Sequence, residues 1–458
     1  MFTVEELLKA TDGRLVKGRL QASARSVCID SRVLKHGEAF VAIKGKNYDG
    51  HCFIKEAIRK GSNVIIVKKL PSKIRPDEKT AFIKVKDTVK ALGDIARFLR
   101  QRFDIPVIAV TGSCGKTTVK EMIYWVLSRK YKVLKTSGTK NNQIGLPLTL
   151  LGLNDTYDCA VLEIGSNHFG EIEYLTRICQ PNIGIITNIG PSHLEYFGNL
   201  KGVFKEKLTL LEGLKEPGVA LLNADDRFLK KVLNKAPERI TALGFGIRSR
   251  SDFFAKEIRV PGQGLGFLLN QKYRFTLRIT GYYNIYNALA AVACGRIFGM
   301  GVSEMASRLA TFEPLSNRLQ WLTLNNTTFI NDTYNSNPLS LRQALYVLRD
   351  SRAEGRKIFV MGDMLELGPK ALEFHRQMGQ EAARICDVFM AVGSLSKRAA
   401  LAARKRGLKP QDVFLCENNL QARDILYKRV KPGPKDIVLI KGSRAMMLEK
   451  ILEMRLNR

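Results

Sequence analysis

At 458 residues the chain is too long for one ordinary hydrophobic core, so two to four domains are expected. Its 74 lysines and arginines against 43 acids leave a net charge of +31, which attracts polyanions. The bases are dispersed, however, and no aromatic-interleaved basic strip or nucleic-acid-binding module accompanies them, so a solvated basic surface is the simpler reading and nucleic acid is not expected as a partner.

No apolar stretch reaches membrane-spanning length, and the opening MFTVEELLKATDG reads as a short helix, not a signal peptide. Eight cysteines lack a CxxC pair and five histidines lack zinc-ligand spacing, which points to a reduced, cytoplasmic compartment. Residues 1–84 mix short helices and strands, with strand candidates at 26–31 and 39–43, and the Pro- and charge-rich run 71–80 predicts a surface loop. Over 87–103 the apolar residues Val89, Leu92, Ile95, Ala96 and Leu99 have helical spacing and lead into a second domain.

From residue 105 to 312 strands and helices alternate. Strands are expected at 107–110, 133–135, 159–164, 183–187 and 219–223, and helices at 119–127 and 203–214. That alternation predicts a mainly parallel sheet covered by helices. The glycine-rich strip 261–267 lacks a following helix and is expected to be a hairpin, not a dinucleotide fingerprint. Beyond Glu313-Pro314-Leu315 the pattern restarts, with strands at 327–332, 357–361, 388–392 and 437–440 and helices at 339–349 and 395–406. The expected fold is therefore α/β in three domains: a small N-terminal α/β domain (1–84), a central P-loop domain with a mainly parallel sheet (85–312), and a C-terminal Rossmann-like domain (313–458).

The strongest local signal is GSCGKTT, comprising Gly112, Ser113, Cys114, Gly115, Lys116, Thr117 and Thr118. A buried strand, a glycine-rich turn and a helix N-terminus in that order cradle a phosphate with backbone N–H groups and the helix dipole. Lys116 supplies a mobile charge for the β/γ-phosphates, and the Thr117 hydroxyl is placed to ligate Mg²⁺. Only two residues separate the glycines, fewer than in the common nucleotide-binding loop. Cys114 at a helix N-terminus is either a thiol of lowered pKa or a small filler of the loop.

Glu163 ends the buried run 159–163, at the strand edge where open sheets place ligands, and is either a Mg²⁺ ligand or an ordinary strand-end acid. Thr187-Asn188-Ile189-Gly190 ends the next strand, and His193 follows in a loop. Lys205 and Lys207 lie two apart on the following helix, so only one of them turns inward.

GSCGKTT, EIGSNHFGEI (163–172), NIGPSHLEYFG (188–198) and the helix reaching Lys207 together resemble the Mur ligase family, the ATP-dependent amide-forming ligases of cell-wall (peptidoglycan) precursor synthesis. The resemblance covers almost the whole chain. DSR (30–32), FVAIKG (40–45), DGH (49–51), KNNQIGLPLTLL (140–151), NDTYNSNPLS (331–340), GDMLELG (362–368) and KGSRAM (441–446) are similar to the branch that joins D-Ala-D-Ala to UDP-N-acetylmuramoyl-tripeptide.

The resemblance implies that Gly112 to Thr118 hold the ATP phosphates, that Thr117 and Glu163 hold one Mg²⁺, and that His193 and a carbamylated Lys207 hold a second. It selects Lys207 over Lys205. It further implies nucleotide contacts or domain closure at Asn284, Asn287, Arg318, Asp332 and Tyr334, with Lys116, His193, Lys207 and Arg318 as the catalytic set. Ser31, Arg32, Gly45, Asn142, Asn335 and Asn337 are the implied substrate residues, the first three for the UDP end. Two positions depart from the family pattern: Tyr283 stands where the family has His, and Asn317 where it has Gly, though Asn tolerates φ > 0. A sibling ligase with another amino acceptor, including the folate-glutamate branch, is the near alternative. A basic nucleic-acid-binding P-loop ATPase is the distant one.

Overall fold

The computed structural model describes residues 1–70, 80–260, 262 and 264–453. Apart from Thr80, the loop expected over 71–80 lies outside the described residues. Three main sheets carry the chain, in keeping with the three-domain α/β expectation. The first has the strand order Arg14–Lys17, Ala81–Lys84, Val64–Val67, Ala39–Val41, Val27–Cys28, parallel throughout except for its first pair. The strands expected over 26–31 and 39–43 are shorter than predicted. Asp30 Oδ1 accepts the Arg32 N–H at 3.0 Å and turns the chain, and the Ile43 N–H returns to the Val41 carbonyl at 3.0 Å.

Helix Thr88–Arg100 starts where the Asp87 carboxylate accepts the Lys90 N–H at 2.8 Å. Its Ala91, Leu92, Ile95, Ala96 and Leu99 form one buried stripe. The helix packs against Val4–Thr11 and also against Gly145–Leu150 and Glu171–Cys179. One apolar cluster therefore runs continuously from the first sheet into the second.

The second sheet has nine strands, in the order Tyr273–Leu277, Leu265–Leu269, Phe253–Arg259, Ile240–Gly246, Gly218–Asn223, Ile183–Ile186, Val107–Thr111, Cys159–Glu163, Val133–Lys135. It is parallel from Val133–Lys135 to Phe253–Arg259, and its last two pairings are antiparallel. Strands Phe253–Arg259 and Leu265–Leu269 on either side of the glycine-rich strip pair antiparallel, as a hairpin requires, while residues 261 and 263 of the strip lie outside the described residues. Val107–Thr111 sits between Cys159–Glu163 and Ile183–Ile186, where the chain switches from one flank of the sheet to the other, and the phosphate loop leaves its C-terminal end. Helix Lys116–Leu127 buries Val119, Met122, Ile123, Val126 and Leu127, the i, i+3, i+4, i+7, i+8 stripe, against helix Asn284–Ile297, which is apolar nearly all round. Each such side chain contributes roughly 1.5–3 kcal/mol by leaving water, which fixes the helix whose N-terminus faces the site.

The third sheet runs Gln320–Leu324, Thr327–Asn331, Ile437–Lys441, Lys357–Gly362, Val388–Val392, Val413–Cys416, parallel except for the first hairpin. The sequence reading misses its two edge strands. Their side chains are partly exposed, so they lack the continuous apolar run that marks the inner four. Among the described residues no helix is long and apolar enough to cross a membrane.

Candidate active site

The loop Gly112–Thr118 takes its shape from two glycines and from the neighbouring strand end. Gly112 has φ 143° and Gly115 φ 85°; a Cβ would strike the Thr187 hydroxyl at the first and come 2.6 Å from Asn287 Oδ1 at the second. The Cys114 N–H donates to Asn188 Oδ1 at 3.0 Å, and the Cys114 carbonyl accepts from Thr187 Oγ1 at 2.5 Å and Asn188 Nδ2 at 3.1 Å. The Ser113 hydroxyl donates to the Gly190 carbonyl at 3.0 Å. Residues 187–190 therefore clamp the loop from behind. Lys116 Nζ lies 2.8 Å from the Gly112 carbonyl; burial lowers its pKa, and Glu163 opposes that shift. Burial pushes the Cys114 thiol up, so the lowered pKa that a nucleophilic thiolate needs is not found.

In front of the loop lies a cavity of about 770 Å³, lined by both the second and the third units. Ser113 to Thr118, Asn142, Glu163, His193, Asn287, Arg318, Asp332, Tyr334, Asn335 and Asn337 all reach it. Gly112, Lys207 and Asn284 lie behind that lining, with Asn284 accepting from Asn287 Nδ2 at 2.7 Å. Tyr283, which stands in place of the family His, also faces the cavity. Asn317 adopts φ 60°, so the turn that favours Gly is kept.

Glu163 is 1 % exposed. Its Oε1 accepts from Asn141 Nδ2 at 2.8 Å, whereas Oε2 is buried with no hydrogen-bond partner. An orphaned carboxylate oxygen beside the Thr117 hydroxyl and the phosphate loop is the hard-oxygen donor set that fits Mg²⁺.

Helix Leu200–Glu212 begins where Asn199 Oδ1 accepts the Lys201 and Gly202 N–H groups, and it buries Val203, Glu206, Lys207, Leu210 and Leu211. Lys207 shares that stripe, while Lys205 is exposed. Glu206 spends its two oxygens on the Gly170 and Ile172 N–H groups, at 2.8 and 2.9 Å, at the start of helix Glu171–Cys179. Lys207, 2 % exposed, has no hydrogen-bond partner among the described residues. Burial, aided by the charge of Lys116, pulls its pKa down to about 7. An ammonium repels Mg²⁺. The same side chain as a neutral amine can add CO₂ and become an anionic oxygen ligand, and only in that form does it fit a metal.

His193 caps the short helix Leu194–Phe197 at φ 51°, and its Nδ1 lies 2.5 Å from Glu366 Oε2 of the third unit. That hydrogen bond holds the Glu366 carboxyl below its ordinary pKa. A carboxylate only accepts, so Nδ1 carries the proton and Nε2 is the ring atom left for a ligand.

From the third unit, Arg318 Nη2 donates to Thr117 Oγ1 at 2.8 Å, and its guanidinium stacks 3.9 Å from the Tyr334 ring. Asp332 pairs with buried Lys441 at 2.6 Å, and Lys441 also reaches the Asn335 carbonyl at 2.9 Å. Asn337 caps helix Pro338–Asp350, and its Nδ2 contacts the Ser113 carbonyl at 3.4 Å and Cys114 Sγ at 3.2 Å. Asn142 turns the chain by accepting the Gly145 N–H at 2.9 Å.

Ser31, Arg32 and Gly45 are not brought to this cavity. Ser31 donates to Glu56 at 2.8 Å, Arg32 pairs with Asp30 at 2.7 Å, and the Gly45 N–H donates to the Tyr48 carbonyl at 2.8 Å, all within the first unit. The sequence reading assigns no role to Glu366, Lys441 or the Asn223–Asp226 turn, although all three bear on the cavity or its contacts. The acid inside GDMLELG, flanked by glycines, was the available signal for Glu366.

Three models of the Mur ligase family match the chain: the "Mur ligase family, catalytic domain" over residues 24–100, the "Mur ligase middle domain" over 110–295 and the "Mur ligase, glutamate ligase domain" over 317–444. The UDP-N-acetylmuramoyl-tripeptide–D-alanyl-D-alanine ligase of Bacillus subtilis is 33% identical, over 98% of this chain and 97% of that protein. A crystal structure of MurF from Acinetobacter baumannii superposes with a TM-score of 0.89 at 32% identity, covering 98% of each chain. MurF ligase from Thermotoga maritima in complex with ADP gives 0.82 at 28% identity, over 94% of this chain and 97% of that one.

Proposed function

The chain belongs to the Mur ligase family, and we propose that it joins D-Ala-D-Ala to UDP-N-acetylmuramoyl-tripeptide at the expense of ATP, in the cytoplasm, during peptidoglycan precursor synthesis. The observation that carries the reading is one cleft holding a phosphate loop and an orphaned buried carboxylate oxygen on Glu163, with a buried lysine of pKa about 7 behind its lining and a separate unit facing it. Residues 1–84 bind the UDP end through Ser31, Arg32 and Gly45, residues 85–312 bind ATP, and residues 313–458 bring the dipeptide through Asn335 and neighbouring groups.

The terminal carboxylate of the tripeptide attacks the ATP γ-phosphorus; the bond to the ADP oxygen breaks, ADP leaves and an acyl phosphate remains. The dipeptide amine, neutral on attack, adds to the acyl carbon, loses a proton and expels phosphate as the amide forms. Catalysis of this kind is positioning and charge stabilisation, which accounts for the lack of a nucleophilic triad. Lys116 swings from the Gly112 carbonyl to the β/γ-phosphates. Arg318, now parked on Thr117, meets the transferring phosphoryl with a planar fork. Asn287 and Asn284 stiffen the floor under Gly115. Thr117 and Glu163 would hold one Mg²⁺, and His193 with a carbamylated Lys207 would hold a second. Bound there, Mg²⁺ offsets charge on phosphoryl and carboxylate oxygens.

The test is a product screen by mass. UDP-N-acetylmuramoyl-tripeptides ending in diaminopimelate or lysine are incubated with ATP, Mg²⁺ and either D-Ala-D-Ala, D-Ala or L-Glu. The reading requires a product with the dipeptide added and ADP formed in equal amount. Turnover with a single amino acid instead assigns the chain to a sibling activity.

A further inference from the structure

The loop 363–368 of the third unit rests directly on the turn that carries His193. The Glu195 N–H donates to the Glu366 carbonyl at 3.1 Å, and Gly368, at φ 60°, lies so close that a Cβ there would sit 3.1 Å from Glu195 Cα. The loop is itself held from within its own unit: the Met364 N–H donates to buried His375 Nε2 at 3.0 Å and the Leu365 N–H to Ser443 Oγ at 2.9 Å. Both side chains of the interdomain contact stand on left-handed backbone, His193 at φ 51° and Glu366 at 62°. Such backbone is strained and persists where surroundings enforce it.

We propose that Glu366 is a positioning residue that docks the third unit onto the metal-binding side of the cleft by accepting a hydrogen bond from the His193 Nδ1–H, so that Nε2 is presented to the second Mg²⁺ only when the units are closed. The proposal rests on the reading of His193 as a metal ligand given above. The physical basis is that an imidazole ligand is oriented, and its tautomer fixed, by the acceptor on its other nitrogen. Because that acceptor comes from another unit, metal binding and closure are linked: what favours one favours the other to the same extent. Among the described groups Glu366 is the protein partner of His193 Nδ1, and Nε2 has none.

Mn²⁺ serves as the probe, titrated into the full-length enzyme with a non-hydrolysable ATP analogue in bicarbonate buffer and followed by electron paramagnetic resonance. Two classes of Mn²⁺ are expected in the wild type, one of them tied to Thr117 and Glu163. Glu366→Ala weakens the other class by about tenfold, the low end for an outer-shell partner because Glu366 is partly solvent-exposed. Glu366→Gln, whose amide oxygen still accepts from Nδ1, stays within about threefold of wild type. The first class, unchanged in every variant, shows that the fold survives. His193→Ala weakens the same class, and adding Glu366→Ala to it produces no further loss, because Glu366 acts through His193. Unchanged Mn²⁺ binding in Glu366→Ala overturns the proposal, as does an undiminished effect in the His193→Ala background. If His193→Ala itself leaves Mn²⁺ binding intact, it is the metal reading of His193 that fails, and this inference falls with it.

Discussion

Lys207 offers the sharpest numerical test, because the structure makes it costly to the fold. The free-chain amine titrates near 10.5 and the buried one at about 7. At pH 7.5 that difference costs the folded state about 4 kcal/mol, taken as an upper bound. Methionine keeps most of the unbranched stem and needs no solvation. Lys207→Met should therefore stabilise the ligand-free enzyme, in CO₂-free buffer with chelator, by about 1–4 kcal/mol after some loss of packing. At about 2–4 °C per kcal/mol for a domain of this size, the calorimetric transition of the central unit rises by several degrees. The sign with pH follows from proton counting. Between pH 7 and 10.5 the unfolded chain holds a proton that the folded amine has released, so wild-type stability rises with pH. The advantage of the variant is complete below pH 7 and fades toward pH 10.5. Ligation, meanwhile, falls by about 10³-fold, several kcal/mol of lost charge stabilisation. A lower melting temperature, or a gain identical at pH 7 and pH 9.5, refutes the uncompensated buried amine. Undiminished ligation refutes its functional role.

Other substitutions probe the remaining contacts. Glu163→Gln keeps the Asn141 contact but removes the charge at the orphaned oxygen, so the Mg²⁺ concentration for half-maximal ligation should rise at least about tenfold, with the fold unchanged by circular dichroism. Arg318→Lys retains charge yet loses the planar fork and the Tyr334 stack, and kcat should fall by about 10²–10³-fold with a smaller change in the KM for ATP. Asn337→Ala removes a helix cap together with two contacts to the phosphate loop; the third unit should lose about 1 kcal/mol in a denaturant melt, and the KM for ATP should rise severalfold.

Much of the architecture is legible in the chain because buried strands announce themselves. Val107–Thr111 and Cys159–Glu163 are fully buried, and their continuous apolar runs place both ends of the phosphate site within a residue or so. The edge strands Gln320–Leu324 and Val413–Cys416 escape notice because half-exposed residues carry no such run. Helical spacing shows that only one of Lys205 and Lys207 turns inward, and the structure gives that place to Lys207, on the stripe of Val203, Leu210 and Leu211. The sequence does not reveal that Glu206, its neighbour, is consumed by two backbone N–H groups of a different helix. Glu206 therefore gives the lysine no hydrogen bond, and its charge only partly opposes the burial and the Lys116 charge that pull the Lys207 pKa down. Asn337, implied as a substrate residue, lines the cavity and caps its own helix, and its contacts to the phosphate loop, more than 200 residues away in the chain, are set by packing alone.

The chain by itself determines the local chemistry: a glycine-rich turn between a buried strand and a helix, an acid at the end of another buried strand, and a helix on which one of two lysines must turn inward. Those features depend on spacing and burial pattern, which short stretches of sequence carry whole. The tertiary structure decides which of these groups is left unsatisfied. Among the described residues Glu163 Oε2 is buried without a partner, while Glu206, Asn337 and His193 Nδ1 have theirs. Whether a polar atom is partnered depends on residues distant in sequence that packing alone brings within about 3 Å, and the proposed metal site rests on one such unpartnered atom at the cavity, Glu163 Oε2.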